Sequence, residues 1–275
     1  MKNIAFIIYR GWAYKIFSNI LKKNINDKII LITNKNAEFE TKKLKTKNFV
    51  ITPNDNKKIY EILKNNQIDI VFIYGWSWII SNKIIDKFLC ICLHPSKLPL
   101  FRGGSPIQNQ ILRGINKSAV SIFKMNKYID RGDIFMQKEL SLKGDMKKIL
   151  FQISTIGFKI TLKLLEKFKK NKIKFFKQKG KQSFFKRRTG KDNIISVKEL
   201  KKISYSKFSD YVRCLQDPYP GFKVVSKDKT IKIIKIKKYK KDLGLNLKKK
   251  EKDKYLELKD ACAKVIKSKT IKFIA

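Results

Sequence analysis

The sequence predicts an α/β fold: a mostly parallel twisted sheet with helices on both faces, plus a small C-terminal domain of α+β or β character. Three observations predict it. Short, almost wholly apolar runs recur at Asn3–Tyr9, Lys28–Thr33, Ile68–Tyr74 and Cys90–Leu93, as in strands buried on both faces. The segments between them carry apolar residues at helical spacing, and strand–helix–strand alternation favours parallel pairing through right-handed crossovers. Beyond Lys170 the chain turns lysine-dense, which places a domain boundary near residue 178 and divides the chain into 1–178 and 179–275.

Taken in order, Asn3–Tyr9 is a strand, and Gly11-Trp12 turns into a helix over Tyr14–Lys22 with Ile16, Phe17, Ile20 and Leu21 apolar. Lys28–Thr33 is the second strand. Asn54–Asn66 is a helix with Ile59, Ile62 and Leu63 on one face, and Ile68–Tyr74 is the third strand. Lys83–Phe88 is helical, and Cys90–Leu93 is a fourth strand running into His94-Pro95. In such a Rossmann-like sheet, ligands sit beyond the carboxyl ends of the strands, and His94 lies at one of those ends. A Pro- and Gly-rich turn, Pro95–Pro106, leads into a helix over Ile107–Leu112. Ser118–Asn126 and Ile134–Leu142 read as strands flanking a tight Asp130-Arg131-Gly132-Asp133 loop at a hairpin-like bend. Asp145–Lys169 is the longest helix. The tail holds a helical stretch Val197–Leu215, short β-like runs at Thr230–Ile236 and from Lys254–Leu258 onward, and an exposed low-complexity loop over Lys237–Lys254.

Composition excludes several classes. Hydrophobic residues at 43% and aromatics at 12% supply a core, so wholesale disorder is not expected. The longest apolar runs, such as Ile68–Ile80, carry polar residues and fall short of a membrane span. No small-residue cleavage site follows the short apolar stretch before Arg10, so a signal peptide is not expected and a cytoplasmic location is. A net charge of +43 invites a polyanion, but the excess is nearly all Lys scattered along the chain beside abundant Ile and Asn, as compositional bias produces. Arg, the residue of bidentate phosphate and base recognition, is scarce. Cys90, Cys92, Cys214 and Cys262 read as buried thiols in a cytosolic chain. Cys90, Cys92 and His94 have alternate spacing, about 6–7 Å apart on a strand, too far to converge on one ion, so no metal is expected.

His94 is the chain's single histidine. An imidazole with an unperturbed pKa of about 6.5 suits proton transfer near neutral pH. It needs an orienting carboxylate, which Asp130 or Asp133 could supply if their loop lies beside the strand before His94. The same four residues also read as an ordinary turn.

The run His94-Pro95-Ser96-Lys97-Leu98-Pro99-Leu100-Phe101-Arg102-Gly103-Gly104-Ser105-Pro106-Ile107-Gln108, followed by Ile129-Asp130-Arg131-Gly132-Asp133-Ile134, resembles the signature of the folate-dependent formyltransferases. That family includes methionyl-tRNA, glycinamide ribonucleotide and sugar N-formyltransferases. Phe184-Phe185-Lys186-Arg187-Arg188 and Arg213-Cys214-Leu215-Gln216-Asp217-Pro218-Tyr219-Pro220-Gly221 resemble linker and small-domain motifs of the tRNA and sugar branches. The resemblance implies attack of an acceptor amine on the formyl carbon of 10-formyltetrahydrofolate. His94 would shuttle protons, Asp130 would orient His94, and an Asn two residues before the His would stabilise the oxyanion. Here that position holds Cys92, and a thiol is a poorer donor than an amide. Losing one oxyanion donor costs about 100- to 1000-fold in rate. The resemblance places the folate along Trp78, Ile79 and Ile80, the loop Ser96, Lys97, Leu98 and Pro99, and the backbone of Asn126, Lys127, Tyr128 and Ile129. Trp78 also reads as ordinary packing. Arg102 and Gly104 are placed at the acceptor, with loop capping as the alternative for Arg102.

The tRNA branch resembles itself in a Gly-Thr-Pro turn after the first strand and a basic Gly-Arg-Gly loop after the second. Tyr9-Arg10-Gly11-Trp12 replaces the first, nothing between Asn34 and Phe49 resembles the second, and the C-terminal region is short for a tRNA-gripping barrel. These differences favour a small acceptor such as a nucleotide-linked amino sugar, with initiator Met-tRNA as the other partner. A catalytically impaired folate- or RNA-binding protein is a third reading. No membrane partner is expected, and oligomer formation is left open.

Overall fold

The computed structural model describes residues 1–23, 26–40, 47–51, 54–225, 229–239, 255–257 and 262–272. The chain divides into two compact units. The first takes in Met1–Pro106, Lys117–Ser141 and Leu150–Phe185; the second takes in Ile107–Asn116, Leu142–Ile149 and Lys186–Ala275. The division is interleaved, where the sequence suggests one cut near residue 178.

The first unit opens with β1 (Asn3–Ile8), α1 (Gly11–Lys22), β2 (Lys28–Asn34), β3 (Lys47–Ile51) and α2 (Asn56–Asn65). It continues through β4 (Ile70–Tyr74), α3 (Asn82–Lys87), β5 (Leu89–His94) and the two-residue β6 (Arg102–Gly103). After α4 (Pro106–Ile111), which belongs to the second unit from Ile107 on, come β7 (Lys117–Lys124), β8 (Ile134–Ser141), α5 (Met146–Lys169) and β9 (Phe184–Phe185). The first turn of α5, Met146–Ile149, is also of the second unit. Seven strands form one sheet in the order β3-β2-β1-β4-β5-β7-β8. β3 through β5 pair in parallel, and β7 and β8 join antiparallel. This is the mostly parallel, Rossmann-like sheet that the apolar runs predict.

The central strands are apolar on both faces because both faces are covered. All five residues of β4 are buried, as are Ile4 to Ile8 of β1. α2 begins where the Asp55 carboxylate accepts a hydrogen bond from the Lys58 N–H at 3.0 Å, and it buries Ile59, Ile62 and Leu63. α1 starts at Gly11, three residues before the periodicity suggests. The Glu38 carboxylate accepts the Gly11 N–H at 3.1 Å and pairs with Arg10, a cap supplied from a distant segment. β3 is a strand that sequence reading misses. It is a sheet edge, with Lys47 and Val50 exposed and only Ile51 fully buried, so its pattern is polar.

The second unit holds a five-stranded sheet, β10-β11-β12-β14-β13, from β10 (Ile194–Ser196), β11 (Phe222–Val225), β12 (Lys229–Tyr239), β13 (Tyr255–Glu257) and β14 (Cys262–Lys272). The helical stretch expected over Val197–Leu215 is two helices, α6 (Val197–Leu200) and α7 (Tyr205–Arg213). The break arises because the Ser204 hydroxyl accepts the Lys207 N–H at 3.2 Å, starting a new helix. The loop expected over Lys237–Lys254 begins inside β12, and its residues 240–254 lie outside the described ones. Arg213 and Gln216 bind the unit's earlier segments. Arg213 donates to the carbonyls of Leu142 at 2.7 Å and Gly144 at 3.2 Å, and Gln216 Oε1 accepts the Met146 N–H at 3.1 Å.

Cys90 in the first unit and Cys214 in the second are buried, and burial pushes both thiols up to about 12. In the unfolded chain a thiol titrates near about 8.5, so the folded state binds these protons more tightly. Their contribution to stability is therefore complete below about pH 8.5 and is lost as pH rises from there toward 12. Urea midpoints at pH 7.5, 9 and 10 are expected to fall in that order, and Cys90→Ala is expected to flatten the slope; an unchanged midpoint contradicts the assignment.

Candidate active site

β5 runs up the middle of the sheet and ends at His94, which is 6% exposed. Its neighbour β4 lies beside the point where strand order reverses, between β1 and β4, so the strand ends here border the crevice in which such sheets hold ligands. The loop after β7 folds back over β5. The Met125 N–H donates to the Cys90 carbonyl at 2.8 Å, and Asp130 arrives beside the imidazole with its Oδ2 3.5 Å from His94 Nδ1.

The ring's other nitrogen, Nε2, lies 2.8 Å from the carbonyl oxygen of Phe101. A carbonyl only accepts, so Nε2 carries hydrogen; the Asp130 carboxylate also only accepts, so a lone pair on Nδ1 would face it unfavourably and a proton on Nδ1 relieves that. A proton arriving at Nδ1 completes an ion pair with Asp130. This arrangement is a proton acceptor with a counter-charge already in place.

Local geometry around Asp130 is demanding. Its backbone is left-handed, with φ of 54°, a region that Asp tolerates better than most residues. The same Oδ2 accepts the Gly103 N–H at 2.8 Å. At Gly132 an added Cβ would lie 1.7 Å from the Lys124 carbonyl oxygen, so only glycine lets the loop close there. At Gly103, with φ of 91°, a Cβ would lie 2.3 Å from the Phe185 carbonyl.

Cys92 lies on β5 two residues before His94. Burial first, and then the negative charge of Asp130, push its thiol well above the ordinary range. It keeps its proton, which makes it a weak S–H donor and a poor nucleophile.

The Ser96–Pro99 loop is pinned by its own polar groups. Ser96 Oγ donates to the Leu100 carbonyl at 2.7 Å, and Gln137 Nε2 donates to the Leu98 carbonyl at 2.9 Å. Ser121 Oγ donates to the Ser96 carbonyl at 2.5 Å. Ser96, Leu98 and Pro99 are buried, and Lys97 points to solvent. Ile80 is buried in a core cluster with Ile84 and Cys90, against which Trp76 and Met125 also pack. Exposed apolar side chains stand at Ile79 (68%), next in sequence to Ile80, and at Tyr128 (55%) and Ile129 (52%) in the loop after β7. Trp78 packs edge-on to Tyr9 with ring centroids 5.0 Å apart. Asn126 Oδ1 accepts the Tyr128 N–H at 3.0 Å, and the Lys127 ammonium lies over the Tyr128 ring.

Arg102 is buried and tied to two glutamines, donating to Gln178 Oε1 at 2.7 and 3.1 Å and to Gln182 Oε1 at 2.7 Å. The Gly104 N–H donates to the Phe185 carbonyl at 2.8 Å. Gln178, Gln182 and Ser183 carry no signal in the sequence reading, and Phe101 appears there only within the His94–Gln108 run. Their bonds run to backbone atoms or across some 80 residues, and neither leaves a periodic trace. Among the described residues, no group of three or more His, Cys, Asp or Glu could hold a metal ion. No helix among them is long and apolar enough to cross a membrane.

Residues 2–149 match the family model described as formyl transferase. The chain belongs to this family. The methionyl-tRNA formyltransferase of Buchnera aphidicola is 32% identical over 184 residues, 66% of this chain and 57% of that protein. The chain thus spans little more than half the length of that relative. Among solved structures, the methionyl-tRNA formyltransferase from Clostridium thermocellum superposes with a TM-score of 0.71 at 25% identity, covering 99% of this chain and 100% of that one. A 4-N formyltransferase from Francisella tularensis shares the fold, with a TM-score of 0.65 at 19% identity over 82% of this chain and 93% of that one. Both solved structures therefore share the fold whose β5 ends at His94 in this chain.

Proposed function

We propose that this formyl transferase moves a formyl group from 10-formyltetrahydrofolate to the amino group of methionyl-tRNA. The observation that carries formyl transfer is the His94–Asp130 pair at the end of β5, with Nδ1 facing the carboxylate and Nε2 held by the Phe101 carbonyl. His94 takes the proton that the attacking amine loses as its bond to the formyl carbon forms and returns it to the folate nitrogen as the carbon–nitrogen bond to the donor breaks, with Asp130 balancing the charge on the ring meanwhile. Phe101 keeps the imidazole turned so that Nδ1 is the basic atom. The Cys92 S–H donates to the Leu93 carbonyl at 3.8 Å and would have to leave that contact to donate toward the developing oxyanion. The donor substrate supplies an activated one-carbon unit. The exposed Ile79, Tyr128 and Ile129 suit one face of its aromatic rings, and Asn126 and Lys127 lie on the loop that carries Tyr128 and Ile129. Arg102 and Gly104 act on the loop that carries Phe101.

Two features favour the tRNA acceptor over the small one that the turn Tyr9-Arg10-Gly11-Trp12 suggests. The relative from Clostridium thermocellum is covered end to end, and the second unit carries a five-stranded sheet where the sequence suggested too little chain. The differing turn keeps a nucleotide-linked amino sugar as the second reading. Purified protein with 10-formyltetrahydrofolate is expected to release tetrahydrofolate on addition of Met-tRNA, and not with nucleotide-linked amino sugars. The opposite outcome selects the small acceptor. Turnover of neither, with an RNA complex that survives salt, selects a binding protein.

A further inference from the structure

The segment after α5 crosses the catalytic loops, and one side chain in it uses every hydrogen-bonding group it has. Gln178 Nε2 donates to the carbonyls of Asp130 and Gly132, both at 2.8 Å. Its Oε1 accepts from Arg102 Nη2 at 2.7 Å and Nε at 3.1 Å. The amide has only one workable orientation, because a guanidinium offers only donors and two carbonyls offer only acceptors. The two loops it joins hold opposite ends of the imidazole. Asp130 faces Nδ1, and Phe101, next to Arg102, accepts from Nε2. The same segment supplies Ser183, whose Oγ accepts the Phe101 N–H at 2.9 Å.

We propose that Gln178 is a positioning residue for the His94–Asp130 pair: it holds the left-handed backbone at Asp130 and the Phe101–Gly103 segment in one register. This rests on reading His94 as the proton acceptor. Asp130 sits at a positive φ that needs support from outside its own turn. Gln178 gives that support at the carbonyls on both sides of Arg131, and Arg102 anchors it in turn.

Gln178→Glu separates this role from simple tethering of Arg102. A carboxylate still accepts from the guanidinium, with charge assistance, but brings no hydrogens to the two carbonyls. The full-length protein is expected to melt within about 3 °C of the parent and to lose about 10- to 100-fold in kcat, with both KM values within about threefold. Its kcat–pH profile is expected to move toward that of Asp130→Asn. In the Asp130→Asn background, Gln178→Glu is expected to cause little further loss, since one group acts through the other. Parent-like kcat in Gln178→Glu, or losses that multiply in the double variant, overturns the proposal. Gln178→Met, which removes the donors without adding charge, gives the same reading if the Glu variant fails to fold. Failure of both to fold also overturns it, because the residue then serves the fold. Parent-like rates in Asp130→Asn and His94→Gln would instead remove the catalytic reading, whatever Gln178 does.

Discussion

His94→Gln is expected to fall about 100- to 10,000-fold in kcat while melting within a few degrees of the parent. The Gln amide can place a donor near the Phe101 carbonyl, where Nε2 now lies at 2.8 Å, so the loop it holds survives. The amide cannot take up a proton near neutral pH, so the basic atom opposite Asp130 is gone. Single-turnover measurement at saturating donor and acceptor isolates this step from binding. A rate within threefold of the parent would show that another group accepts the proton.

Gly132→Ala is expected to lose about 1–3 kcal/mol of stability and about 100-fold in kcat. Its Cβ would stand 1.7 Å from the Lys124 carbonyl oxygen, a backbone atom with no rotamer by which to retreat. The loop must therefore lift, and lifting it carries Asp130 away from His94 and separates Gln178 from the two carbonyls it holds. Gly190→Ala is the control. Nothing lies within 4 Å of a Cβ there, so parent stability and rate are expected. Denaturant unfolding gives the first quantity and initial rates give the second. A Gly132→Ala protein as stable and active as the control would mean that the loop closes differently.

The parallel core was legible because burial on both faces writes a continuous apolar run, as in Ile70–Tyr74, whatever the neighbours are. β3 was not legible, because an edge strand satisfies its backbone with one partner and exposes polar side chains such as Lys47. Nor was the first turn of α1, whose N–H groups are served by Glu38, 27 residues away. The two-helix break at Ser204 carried a local signal, a serine three residues before Lys207, that helical periodicity across Val197–Leu215 concealed.

The candidate site divides in the same way. Sequence alone determined that a lone imidazole ends a central strand, that an Asp-Arg-Gly-Asp turn follows the next long strand, and that Cys92 stands where the family's amide would be. Only the tertiary structure decided that Nδ1, and not Nε2, faces Asp130, and that Arg102 is held by Gln178 and Gln182. The physical reason is that side-chain periodicity records which residues leave water. The site is built from backbone carbonyls at Phe101, Asp130 and Gly132, and every residue type carries such a carbonyl.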